Sequence, residues 1–246
     1  GCTNITADSS LFLRTGTSLP PFYVLMYVDD LIFAITDTEA LALVKSELQK
    51  RHTCTDLGEM RSYLGLHITR DRARRTITVT QSHMVHQLLQ RLGFRYSSPQ
   101  STPLPTGRSL SAPPLDESVE PSGPYPDLVG FLIHRPEHRE AVKRVLRYLC
   151  NTSGLGLVLG GRGPVVLTGH ADASCVDDLA TQRSSQGYTF ILGSVSVSCW
   201  STRSSLVLSS SCEAEIYAGA MAAQELRWLI YLLTDLGEQP RSPPAV

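Results

Sequence analysis

Phe22-Tyr23-Val24-Leu25-Met26-Tyr27-Val28-Asp29-Asp30-Leu31-Ile32-Phe33-Ala34 is the stretch on which the reading of this chain turns. Two adjacent carboxylates divide two apolar, β-prone halves. Such halves want burial, and a buried charge is costly unless it is paired or metal-bound. The simplest geometry is a β-hairpin whose tight turn carries Val28, Asp29 and Asp30. Carboxylate oxygens projecting from such a turn are hard ligands, suited to Mg²⁺ bridging nucleotide phosphates. The plainer reading is an ordinary turn with two solvated Asp, a favoured turn residue. Tyr27 and the apolar runs on both sides argue against it.

Working outward, residues 10–34 read as two strand segments joined through 16–21. Residues 38–52 place Leu41, Val44 and Leu48 on one side of a helix, with Asp37 or Thr38 as N-cap. Short strands come next, within 60–80 around a charged turn at 70–75, then a helix over 81–92 closed by Gly93. Residues 97–126 hold eight of the 15 prolines and many serines, the composition of a linker or extended arm. A helix is expected over 136–150. Short β-prone runs then occupy 155–159, 165–171, 188–192 and 195–200, before a long helix over 212–236.

Acidic residues recur in the C-terminal part. Ser210 lies three residues before Glu213, the spacing of a capping box. Glu215 falls at helical spacing with Ala218, Ala222 and Leu229, a stripe suited to packing on a sheet. A carboxylate on that stripe needs a partner, and a metal shared with Asp172, read as the end of a strand, would supply one. Asp177 and Asp178 read as a solvated loop. Arg139, Lys143 and Arg147 recur every four residues and form a basic stripe able to meet phosphates. The same helix read blandly has a solvated basic face, with Val142, Val145, Leu146 and Leu149 buried behind it.

Bulk properties narrow the field. The 246 residues are 42% hydrophobic and 18% charged, which describes a chain that can bury a core. A net charge of −1 gives no global signature of nucleic-acid binding, so any such contact rests on local patches. The six cysteines are scattered, with no CxxC pair, which argues against zinc and against a disulfide scaffold. A reduced, intracellular setting fits. Neither a signal peptide nor a run of transmembrane length is present. A first residue of Gly reads as a chain taken from a longer product, or as a broken reading frame.

Tyr27-Val28-Asp29-Asp30 resembles the catalytic box of a reverse transcriptase. The sequence downstream resembles the Pol polyprotein of copia-type LTR retrotransposons. The resemblance runs through Asp56-Leu57-Gly58-Glu59-Met60, Tyr63-Leu64-Gly65-Leu66-His67-Ile68 and Ile77-Thr78-Val79-Thr80-Gln81. It continues through Ala141-Val142-Lys143-Arg144-Val145-Leu146-Arg147-Tyr148-Leu149, Asp172-Ala173, Arg183-Ser184-Ser185-Gln186-Gly187-Tyr188 and Glu213-Ala214-Glu215. The order of these boxes is more specific than any one of them.

The resemblance implies an α+β or α/β chain in three parts. Residues 1–96 would be the C-terminal part of a reverse-transcriptase palm with a thumb-like region. Residues 97–153 would be a Pro/Ser-rich linker with a basic connection helix, and 154–246 a truncated RNase H-like domain. It also implies Asp29, Asp30, Asp172 and Glu215 as catalytic metal ligands for Mg²⁺ or Mn²⁺. The family places its metal-binding Glu second in the Glu-Ala-Glu box. Implied partners are an RNA template, an RNA–DNA hybrid, dNTPs and the rest of Pol, without a membrane. The setting would be cytoplasmic, in a virus-like particle, or nuclear.

Departures from the family are specific. Ser174 and Cys175 stand where an acid and an aromatic are usual. A helical segment is expected between Gly130 and His134 but is replaced by Phe131-Leu132-Ile133. By the resemblance, a palm carboxylate from an upstream strand and a later RNase H aspartate are expected to lie outside this sequence. Both metal centres are therefore expected to be half present, and the chain inactive alone. The alternative is a non-catalytic nucleic-acid-binding or structural remnant.

Overall fold

The two β-prone halves of residues 22–34 fold as a hairpin: β3 (Phe22–Tyr27) and β4 (Asp30–Ala34) pair antiparallel, with Tyr27 opposite Asp30. The computed structural model describes residues 2–14, 22–105, 136–161, 165–178 and 181–238. The readings at 16–21, at the Gly130–His134 junction and at the last eight residues lie outside these, as does most of the Pro-rich stretch. The described residues form three antiparallel sheets and four helices.

The first sheet has the order β1-β2-β3-β4, with β1 at Thr3–Asn4 and β2 at Leu11–Arg14. Helix α1 (Thr38–Arg51) comes directly after, capped as expected by Asp37, whose side chain accepts from the Glu39 and Ala40 amides. Leu41, Val44 and Leu48 are half-buried and Ala40 fully buried. Lys45 ties the helix to the next loop through Asp56, at 2.8 Å.

The second sheet joins β5 (Ser62–Tyr63), β6 (Leu66–Asp71), β7 (Thr76–Thr80) and β8 (Leu157–Gly160), in that order. The fourth strand lies beyond the expected boundary at residue 154, yet it completes this sheet by pairing with β7. Its approach is tight. A Cβ on Gly156 would meet the Val79 carbonyl oxygen at 2.6 Å. Helix α2 (Ser82–Arg91) ends at Gly93, which adopts φ +74°, and the Phe94 amide returns to the Leu89 carbonyl at 2.8 Å. Helix α3 (Pro136–Thr152) packs on α2 through Leu89, Val142 and Leu146.

The third sheet is a meander of β9 (Leu167–Asp178), β10 (Arg183–Leu192) and β11 (Val195–Arg203), in the order β11-β10-β9. Helix α4 (Ser211–Asp235) lies across β9 and β10 and buries Ala214, Ala218, Ala222 and Leu229. Its apolar stripe closes a core with Leu167 and Phe190.

Helix α4 also holds the first sheet. An acid in the last turn of a helix opposes the helix dipole, and α4 has no basic residue there. Asp235 is stabilised instead by the amides of Thr6 and Ala7, which donate to its Oδ2 at 2.7 and 2.9 Å. Two turns earlier, Trp228 Nε1 donates to the Ala7 carbonyl at 3.1 Å, and Tyr23 OH donates to the Leu236 carbonyl at 2.8 Å. Asp235→Ala is expected to cost about 1–2 kcal/mol, as loss of charge-assisted hydrogen bonds does. It should release amide-exchange protection at Thr6 and Ala7 while the β3–β4 pairing stays protected. Unchanged protection at both amides would count against this clasp.

Candidate metal and nucleic-acid site

The β3–β4 turn consists of Val28 and Asp29, and Asp30 opens β4. Val28 is 81% exposed and sits at φ +51°, a left-handed conformation that a β-branched residue adopts only under strain. Asp29 and Asp30 are both exposed. The apolar halves put their buried end at Phe22 and leave Met26, Tyr27, Val28 and Leu31 open to solvent. The hairpin therefore stands out from its sheet with the carboxylates at its tip. Val28→Gly relieves the strain and is expected to raise stability by about 1 kcal/mol. A lower urea midpoint for the glycine variant would show that the strain is not there.

One neighbour is not apparent from the sequence. Tyr63 lies edge-on to Tyr27, with ring centroids 6.4 Å apart and planes at 81°. Its hydroxyl is held above the usual phenol range by desolvation first, then by the Asp30 charge and Tyr27. Tyr63 lies within one of the family boxes, but nothing in its spacing assigns it to the Asp30 neighbourhood. Only the β5–β6 turn brings it there.

The donor chemistry of the turn fits Mg²⁺ or Mn²⁺, because adjacent carboxylate oxygens are hard ligands. It is a partial set. Among the described residues no three His, Cys, Asp or Glu side chains gather closely enough to hold a metal.

In the C-terminal unit the Ser210 half of the capping box forms, while the Glu213 carboxylate reaches one residue past the N-cap, to Ser209. Ser210 Oγ accepts from the Glu213 amide at 3.1 Å, and Glu213 Oε2 accepts from the Ser209 amide and hydroxyl, each at 2.7 Å. These bonds hold the Glu213 carboxyl below the usual range.

Three expectations need correction. Asp172 does not end a strand. It sits in the middle of β9, opposite Gly187, because the pairing continues to Asp178. The buried stripe of α4 begins with Ala214, and Glu215, one position on, is exposed. Ala171 packs into the core beneath α4, so strand alternation turns Asp172 to the other face of the sheet. The two carboxylates belong to one unit without sharing a face. Asp177 is not a freely solvated loop residue either, since its carboxylate accepts from the Ser185 amide at 2.7 Å and hydroxyl at 2.6 Å.

The expected basic stripe lies on α3. Lys143 is engaged by Glu140 at 2.6 Å. Arg139 and Arg147 are half-buried, each with a covered Nε that has no hydrogen-bond partner. The charged turn before β7 is largely paired, Arg72 with Glu59 at 2.9 Å and Arg74 with Asp71 at 3.7 Å.

Residues 2–106 match the family model for reverse transcriptase (RNA-dependent DNA polymerase). The retrovirus-related Pol polyprotein from transposon TNT 1-94 of Nicotiana tabacum is 33% identical over 259 residues, covering 94% of this chain and 19% of the polyprotein. The Pol polyprotein from transposon RE2 of Arabidopsis thaliana is 30% identical over 269 residues, covering 100% of this chain and 18% of the polyprotein. These matches support a fragment of a copia-type retrotransposon Pol polyprotein.

The chain spans about a fifth of the length of these Pol relatives. An uncharacterized mitochondrial protein of Arabidopsis thaliana is 28% identical over 234 residues, covering 84% of this chain and 93% of that protein. No solved structure matches. The mixed α/β architecture with antiparallel sheets is compatible with a reverse transcriptase. The reverse transcriptase family generally uses divalent metals. Among the described residues no helix is long and apolar enough to cross a membrane.

Proposed function

We propose that residues 1–96 are the C-terminal part of a reverse-transcriptase palm with a thumb-like region, and that Asp29 and Asp30 are its catalytic metal ligands. The observation that carries this reading is the exposed, strained hairpin tip presenting two adjacent carboxylates, with Tyr63 packed beside it. A bound Mg²⁺ or Mn²⁺ would neutralise charge on nucleotide phosphates there. The chain's own part is positional. The β3–β4 pairing fixes the tip, and the left-handed Val28 sets how Asp29 and Asp30 leave it. An RNA template and dNTPs are the substrates, inside the cell, in a virus-like particle or the nucleus.

The same reading makes the chain inactive alone, because two-metal chemistry needs carboxylates from more than one place. The test uses the purified chain with Mg²⁺ or Mn²⁺ on a primed RNA template, then the chain joined to the Pol segment that precedes the matched region in the tobacco relative. Background incorporation is expected from the first and template-dependent incorporation from the second. In the joined protein, Asp29→Asn or Asp30→Asn should each lower the rate by about 100-fold or more, as loss of preorganised charge stabilisation does. Robust incorporation by the chain alone that vanishes in the Asn variants would overturn the inactivity. Retained incorporation in the Asn variants of the joined protein would overturn the site.

For residues 154–246 the element order after β8, three antiparallel strands and then a long capped helix, supports an RNase H-like unit, with 97–153 as connection. Asp172 and Glu215 are its candidate acids. Strand alternation sets them on different faces, so Asp172→Asn and Glu215→Gln are scored separately in a hybrid-cleavage assay. A second reading, a non-catalytic nucleic-acid-binding remnant, is favoured by the half-buried Arg139 and Arg147 of α3, whose covered Nε–H groups have no acceptor. That reading expects salt-sensitive duplex binding that survives both Asn substitutions at the turn.

A further inference from the structure

The segment leading out of α2 folds back on α3 and leaves a cleft of about 210 Å³, lined by Gln100, Leu104, Pro105, Glu140, Arg144 and Arg147. Its charge does not balance. Among the described residues Glu140 is the one carboxylate in the lining; Lys143 engages it at 2.6 Å, and the Arg147 charge adds a weaker attraction. Arg144 reaches a neutral partner, Nη2 donating to Thr102 Oγ1 at 2.8 Å. The Nε–H groups of Arg144 and Arg147 are covered, and neither has an acceptor. A guanidinium carries five donors in a rigid fork, and covering its donors without acceptors is costly. Two half-covered guanidiniums in one cleft therefore call for an anion that takes several donors at once. A tetrahedral oxyanion does so, and Arg matches phosphate oxygens in pairs.

We propose that this cleft is a phosphate-binding site, with Arg144 and Arg147 as the binding forks and the Gln100 amide as a further donor. It differs from the stripe legible in the sequence. Arg144 replaces Lys143, because Glu140 takes the lysine away and the fold of residues 100–105 over α3 selects the face bearing Arg144. Leu104 and Pro105 form one wall of the cleft, which stays open to solvent. The cleft is large enough for a phosphate with part of a sugar, so a strand backbone and a free nucleotide are both sources of the right chemistry. Phosphate binding here needs no polymerase chemistry, so its failure and a failure of incorporation are read separately.

The test is calorimetric titration of the full chain with three probes at fixed ionic strength: inorganic phosphate, adenosine monophosphate and a 12-nucleotide single-stranded DNA. Arg144→Gln and Arg147→Gln are each expected to weaken binding about tenfold, with Arg144→Lys and Arg147→Lys in between because charge is kept but the fork is lost. Arg74→Gln, on the ion-paired turn, should leave binding unchanged. Losses confined to the oligonucleotide identify a strand backbone as the source, and losses confined to the two small anions identify a free phosphate or nucleotide. Each variant's urea midpoint separates loss of the site from loss of the fold, and Gln100→Ala adds a mild third variant. If wild type binds none of the probes, or if the folded Gln variants bind all three like wild type, the proposal is wrong.

Discussion

Phe190→Ala is expected to destabilise the C-terminal unit by about 4 kcal/mol, the range of a fully buried Phe truncated in a core that cannot collapse around the gap. Phe190 is wholly buried between Leu167 and the α4 residues Ala222 and Leu229. Its ring lies over Gly169, its cross-strand partner. A Cβ at Gly169 would fall 3.0 Å from ring Cδ1 and closer still to Cε1. Gly169→Ala should therefore cost about 2–3 kcal/mol by overpacking. The two effects are coupled, since Phe190→Leu frees space just where the new methyl needs it. The double variant Gly169→Ala with Phe190→Leu should be more stable than the sum of its parts predicts. Urea unfolding followed by tryptophan fluorescence measures all of these. Strict additivity, or a neutral Gly169→Ala, would mean that the ring does not lie over the glycine.

Much of the first sheet was legible because its signals are local. The apolar, β-prone runs on each side of Asp29 and Asp30 specify a hairpin, and a single pair of acids in an apolar run has few places to go but a turn. Asp37, Gly93 and the Ser210–Glu213 pair each cap a helix through bonds spanning two to five residues. Such spacing is visible in a sequence. Burial was harder to read. Apolar halves suggest burial throughout, whereas burial runs out toward the tip and leaves the acids in solvent.

The C-terminal unit was legible in order but not in phase. In the sequence β9 reads as ending at Asp172, because Asp and, to a lesser degree, Ala are weak strand formers, and pairing with β10 overrides that propensity. Glu215 reads onto the packed stripe where Ala214 stands. On a helix a slip of one residue is a rotation of about 100°, and an alanine-rich face offers little to fix it. Local signals do not assign β8 to its sheet. Its partner is β7, about 80 residues away, and glycine at 156 and 160 matters only once the Val79 and Arg75 carbonyls are beside it. Tyr63 and Arg144 belong to the same class, since each acquires its neighbours only from the tertiary fold.

Leu146→Ala is expected to cost about 3 kcal/mol and to loosen α3 from α2. Leu146 is fully buried and packs with Leu89 and Val142, flanked by Val85, Leu88, Leu92, Phe94 and Cys150. This cluster is small, so truncation leaves a gap with few side chains able to move into it, which places the cost well within the Leu→Ala range. Polar ties cannot substitute for it. Arg144 to Thr102 and the Cys150 thiol to the Arg95 carbonyl, 3.6 Å apart, are exposed and individually weak. Because Arg144 and Arg147 ride on the same helix, the variant should also lose phosphate affinity without any change to the cleft residues themselves. Leu146→Met keeps the volume and should cost below about 1.5 kcal/mol with affinity retained. Urea midpoints, amide exchange along α3 and phosphate titration give three readouts of one packing contact. If Leu146→Ala lowers the midpoint but leaves α3 exchange and phosphate affinity at wild-type values, the α2–α3 cluster does not position the cleft.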